Sequence, residues 1–164
     1  MIGALRLVTA LACAAVLSQF PAFSDQYVQR LGGQVDALAR VAADFDASAR
    51  RAGLTRSQAL ADLTGSDFRD AHQADMRRSL ARLDHARADL AMLRIAGPLE
   101  RLLLPHRMRD PDTIAATWGD FRPALPLGVA GLGAAAIGFA LGWLLTGVAG
   151  ALLRRRRRDT LGWR

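Results

Sequence analysis

Few side chains in this sequence could do chemistry. The histidines are His72, His85 and His106, and Cys13 is the single cysteine. His72 and Asp75, three apart on a helix, could share one face, as could Asp84 or Asp89 with His85. A carboxylate beside an imidazole can tune a general base or orient a metal ligand. A metal ion needs three or four converging donors, and neither H-x-x-x-H nor C-x-x-C spacing occurs. Glu100 is the only glutamate, and the aspartates lie beside arginines along polar faces, as i,i+4 surface pairs do. No Ser or Cys sits in a nucleophile elbow, and Gly32-Gly33 falls inside a helical pattern rather than after a strand. The sequence therefore predicts no catalytic residue, no cofactor, no metal site and no small-molecule substrate. A non-enzyme is expected.

What must position any functional group is read first from charge. The net charge of +7 is unevenly placed. From Asp25 to Pro123, fifteen arginines face fourteen carboxylates, whereas Arg154 to Arg164 holds six arginines and Asp159. The excess sits at one end, which argues against nucleic acid and for anionic lipid, worth about 1 kcal/mol per basic residue at a membrane surface. Directly before it runs an uncharged stretch of 27 residues, Leu127 to Leu153. About 20 apolar residues suffice to cross a bilayer as a helix. Arg154, Arg155, Arg156, Arg157 and Arg158 then hold that end in the cytoplasm, because loops rich in arginine resist translocation.

Ile2 to Phe20 is a second apolar segment, broken only by Arg6, which near its start can snorkel to headgroups. It reads either as an anchor with its N-terminus inside or as a cleaved signal peptide, with Ala22-Phe23-Ser24 before Asp25 as the processing site. Both readings carry the middle of the chain across the membrane. That middle is helical. Ser24 to Ala52 shows a heptad-like seam of Val28, Leu31, Val35, Leu38, Ala42, Phe45 and Ala49, closed by Gly53. Thr55-Arg56-Ser57-Gln58 fits a capping box for a short helix ending near Thr64. Ser66 caps a second long helix to about Ile95, with apolar positions Phe68, Met76, Leu80, Leu83, Leu90 and Leu93.

Gly97-Pro98 ends that helix, Leu99 to Leu104 forms a short apolar one, and Asp112 to Phe121 forms another. Trp118 and Phe121 precede the span as interfacial aromatics do. His106, Arg107, Arg109 and Arg122 lie in this stretch, where they solvate a loop or meet lipid phosphates. Within the span small residues recur at every fourth position: Ala130, Ala134, Gly138, Gly142, Thr146 and Gly150. Such a stripe lets backbones approach closely, so it is expected to be a helix-packing interface. Ala10, Ala14 and Ser18 form a shorter matching stripe, and the partner is either that segment or another copy.

Three stretches carry a resemblance: Leu17-Ser18-Gln19-Phe20-Pro21-Ala22-Phe23 leading into Gln26-Tyr27-Val28-Gln29-Arg30-Leu31, Phe45-Asp46 ahead of Gly53-Leu54-Thr55, and Asp120-Phe121-Arg122-Pro123-Ala124-Leu125-Pro126. Together they resemble a family of small proteobacterial membrane proteins known only as a domain of unknown function. The resemblance implies an N-terminal region that is retained, since Gln19-Phe20-Pro21 reads as part of the protein. It assigns no activity and no site residues.

The expected architecture is all-α, with two transmembrane helices flanking an antiparallel helical hairpin and short accessory helices. Its parts are an N-terminal transmembrane helix or signal anchor at 1–23, a periplasmic helical domain at 24–123, a C-terminal transmembrane helix at 124–153 and a basic cytoplasmic tail at 154–164. The expected place is a bacterial inner membrane. The expected role is a scaffold presenting its hairpin for protein contacts, with anionic lipid at the tail and a membrane protein partner or a second copy of itself. A sensory or regulatory subunit with receptor-like topology, signalling through a partner, is the alternative.

Overall fold

Helix punctuation in the sequence determines most of the element boundaries. The computed structural model describes residues 2–123 and 125–161, with side chains from 3 to 123 and from 125 to 152. Its helices are α1 (Ile2–Ser18), α2 (Phe20–Arg51), α3 (Arg56–Asp62), α4 (Asp67–Ile95), α5 (Pro111–Asp120) and α6 (Val129–Leu161). Two 3-10 turns, Glu100–Leu103 and Pro105–Arg107, lie between α4 and α5. The fold is all-α, and no strand occurs among the described residues.

Only Gln19 separates α1 from α2, and its N–H still reaches Val16 O at 3.2 Å while Phe23 N–H reaches Gln19 O at 3.0 Å. Expected to begin at Ser24, α2 in fact begins at Phe20. Pro21 explains the earlier start, since a proline in the first turn lacks an N–H that would have no partner there anyway. At its far end α2 closes with paired hydrogen bonds, Leu54 N to Ala49 O at 2.9 Å and Gly53 N to Arg50 O at 3.0 Å. Gly53 adopts φ +70°, the left-handed turn this closure requires. The capping box then starts α3: the Thr55 side chain accepts from Gln58 N, and the Gln58 side chain accepts from Thr55 N at 2.8 Å. Ser66 caps α4 by accepting from Arg69 N.

The described residues divide into two units, one within Met1–Asp25, Pro98–Leu103 and Asp120–Arg164, the other within Gln26–Gly97 and Leu104–Gly119. In the first, α1 and α6 run antiparallel. Two stretches are long and apolar enough to cross a membrane, one near the N-terminus within Gly3–Arg51 and the other at Val129–Leu152. The C-terminal helix begins at Val129, later than expected at 124, and continues past Leu153 to Leu161. Arginine is a good helix former, so the helix does not stop where the apolar run does.

In the second unit, α2 folds back on α4 as an antiparallel hairpin. Leu31, Val35, Ala42 and Ala49 of the α2 seam are buried, as are Leu83, Leu90 and Leu93 of α4. Phe68, expected in the core, is exposed and stacks on His72 with ring centroids 6.2 Å apart.

Two glycines of the α2 hairpin arm give opposite expectations. Gly53→Ala should lower the thermal midpoint of the detergent-solubilised protein, because a side chain at positive φ costs about 1 kcal/mol or more. Gly33→Ala should raise it by a comparable free energy, because Gly33 is helical with open space around it. Midpoints moving in the same direction would refute this account of the turn.

Candidate functional site

The small-residue stripe of α6 lies against α1. A side chain added at Gly138 would come within 2.5 Å of Cys13 O and 3.0 Å of Ala14 Cα. One added at Gly142 would come within 2.8 Å of Ala10 Cα and 2.9 Å of Thr9 O. The two backbones are therefore in van der Waals contact, which only glycine permits here. Ala134 and, across the seam, Ala10 are fully buried. Ala130, Thr146 and Gly150 are half-buried at either end of the same row. Thr146 keeps its hydroxyl inside the helix, donating to Gly142 O at 2.7 Å.

Arg6 does not reach away from the helix pair as the sequence suggested. Its guanidinium carbon sits 4.5 Å over the Trp143 ring, and Nη2 donates to Trp143 O at 3.3 Å. Gly147 makes the room, since a side chain there would begin 2.6 Å from Nη2. Nε is buried without a hydrogen-bond partner among the described residues. A cation over an indole face is attracted by the ring quadrupole, more strongly where water is scarce. Arg154 to Arg158 fall on the α6 backbone, and their side chains lie outside the described residues.

In the other unit the polar groups converge on two aspartates. The Asp89 side chain is 5% exposed and accepts from Arg107 Nη1 at 3.2 Å and Arg109 Nε at 2.8 Å. Its i,i+4 relation to His85 holds on the helix, but arginines, not the imidazole, are its partners. Asp110 caps α5, accepting from Thr113 N at 2.9 Å and Thr113 Oγ1 at 2.8 Å. It also accepts two hydrogen bonds from Arg82, each at 3.0 Å, and Arg82 reaches Asp112 at 2.7 Å. The Gln34 carboxamide lies between Thr113 Oγ1 and Arg82, satisfied when its oxygen faces the guanidinium.

Tyr27 completes the cluster. Its side chain is fully buried, and its hydroxyl accepts from Asp110 N at 3.3 Å. Burial pushes the phenol's pKa up. Burial alone would raise Asp110 as well, but hydrogen bonds from Arg82 and Thr113 outweigh it and hold its carboxyl below the usual range. A cavity of about 420 Å³ opens beside these groups, floored by Tyr27, Leu31 and Ala86 and rimmed by Arg78, Arg82, His85 and Arg109.

Of the histidines, His85 stands on that rim, His72 stacks on Phe68, and His106 lies exposed in the second 3-10 turn. Among the described residues no three metal-ligating groups converge. Tyr27, Asp110 and Arg101 were not singled out by sequence reading, and Asp89 was noted only as a possible neighbour of His85.

A family model described as "Protein of unknown function (DUF2937)" matches residues 1–159, and the chain belongs to that family. No curated protein and no solved structure matches it.

Two substitutions test these contacts. Gly138→Leu should destabilise the detergent-solubilised protein by about 1–3 kcal/mol, as overpacking does, while Gly128→Leu, in open space, should leave the thermal midpoint near wild type. Equal midpoints would dissolve the interface. For Asp110 the sign follows from its depressed native pKa. Its stabilisation is full above the ordinary carboxylate value of about 3.9 and fades as pH falls through the lower native value. Asp110→Asn should therefore cost about 1–3 kcal/mol at neutral pH and flatten the acid side of the stability profile. An acid limb as steep as wild type would disprove it.

Proposed function

We propose that this protein is a non-enzymatic bacterial inner-membrane scaffold, anchored by α1 and Val129–Leu152, that presents a periplasmic helical hairpin to other proteins. The observation carrying this reading is the fit of α1 to α6. Two apolar helices in backbone contact along matching stripes make a pre-formed anchor, and that anchor consumes the stripe within the chain. Association with a partner or a second copy then falls to other faces. The arginine block after the apolar run supports an inward C-terminus and contact with anionic lipid. With α1 retained as half of the anchor, the N-terminus lies on the same side.

The cavity beside Tyr27 favours a second reading, a sensory or regulatory subunit whose helical domain takes a small ligand and signals through a partner. A pocket of a few hundred Å³ with an apolar floor and a few polar groups is the usual form of a ligand site.

Topology is tested with reporters in living cells. A fluorescent protein fused after Arg164 should fluoresce, and alkaline phosphatase inserted at Gly65 should be active. The opposite pair of results would overturn the orientation. Intact mass of the purified chain should include residues 1–24, and a chain starting at Asp25 would remove α1 from the anchor.

A further inference from the structure

Leu102-Leu103-Leu104 is more apolar than a connecting turn needs, and nothing above uses it. Pro98–Leu103 belongs to the same unit as α1 and α6. Leu99 Cδ1 lies 3.0 Å from where a side chain on Gly133 would begin, so the segment packs one turn inside the Val129 end of α6. The turn is closed by Leu102 N to Leu99 O at 3.1 Å.

Of its two charges, Glu100 is exposed at the start of the turn, while Arg101 is turned inward and paired. Arg101 is 8% exposed and donates through Nη1 to Asp25 Oδ1 at 2.5 Å and to Ser24 Oγ at 3.4 Å. Leu99 and Leu102 are half-buried, and Leu103 is turned outward. Leu103 is 80% exposed, and Leu125, Leu127 and Val129 of the same unit are more exposed still. A soluble surface scatters such side chains singly, whereas a contiguous group marks a contact surface. Here Leu99 places the segment against Gly133, beside the exposed leucines that lead into α6.

We infer that the Pro98–Leu103 segment is a third membrane contact, seated in the leaflet at the Val129 end of α6, with Leu103, Leu125, Leu127 and Val129 against lipid acyl chains. The inference rests on the membrane reading above. A 3-10 turn leaves backbone groups without internal partners, so it belongs at the headgroup–acyl boundary rather than the bilayer centre. Arg101, tied to Asp25, fits that depth, because the pair satisfies a charge that lipid would not.

Spin-label accessibility in the full-length protein tests this. Cys13→Ser provides the background, and Leu103→Cys, Leu132→Cys and Ser57→Cys are labelled singly in phosphatidylethanolamine–phosphatidylglycerol vesicles. All three side chains are exposed, so labels there disturb little packing. Position 132 reports the α6 span, and position 57 reports the exposed start of α3. The label at 103 should collide readily with oxygen and poorly with a water-soluble nickel chelate, as at 132 and opposite to 57. A water-like profile at 103 with a lipid-like profile at 132 would overturn the third contact and leave the membrane reading standing. A water-like profile at 132 would overturn both.

Discussion

On the membrane reading proposed above, two apolar helices gain nothing by hiding from the solvent, because that solvent is as apolar as they are. What holds α1 to α6 must therefore be close contact, and contact requires that side chains be absent where the backbones meet. Gly138 and Gly142 supply that absence against Ala10, Cys13 and Ala14. The remainder of the unit is arranged around this seam. Phe23 meets Phe121 edge to face at 5.6 Å, Leu99 lies on Gly133, and Arg101 holds Asp25.

The helical unit solves a different problem with different means. Its seam is built largely from alanine, valine and leucine, so the apolar area each position buries is modest. One buried and one half-buried carboxylate add to this by tying a loop to the hairpin. Asp89 receives two arginines from the stretch before α5, and Asp110 joins the start of α5 to Arg82 of α4 and Tyr27 of α2. A buried charge held by two or more donors is costly to strip of one of them, which makes this loop a firm part of the unit rather than a tether.

Features set by neighbours in sequence were legible, and features set by distant partners were not. The capping box at Thr55 and Gln58, the turn at Gly53 and the cap at Ser66 follow from local chemistry and stand where the sequence put them. The α2 seam was legible from its spacing, although Tyr27 takes the deepest place and Val28 is only half-buried. Tyrosine is hard to assign because its burial needs a partner for the hydroxyl, and that partner is 83 residues away. Arg101 and Asp89 look like ordinary surface charges until partners 76 and 18 residues distant are brought beside them. Beyond its apolar run α6 stays helical to Leu161, because hydropathy and helix propensity are separate properties and arginine has the second without the first.

Arg6 gives the α1–α6 pair something its stripe lacks. A row of small residues at every fourth position matches itself when one helix slides by a turn, so packing alone permits several alignments of nearly equal merit. A single cation stacked on Trp143 and nested in Gly147 removes that ambiguity, because one turn of slip would strand it away from the carbonyl and the ring. The charge serves the pair as a polar residue serves the core of a coiled coil. It adds little to how strongly the helices hold and much to where they stop.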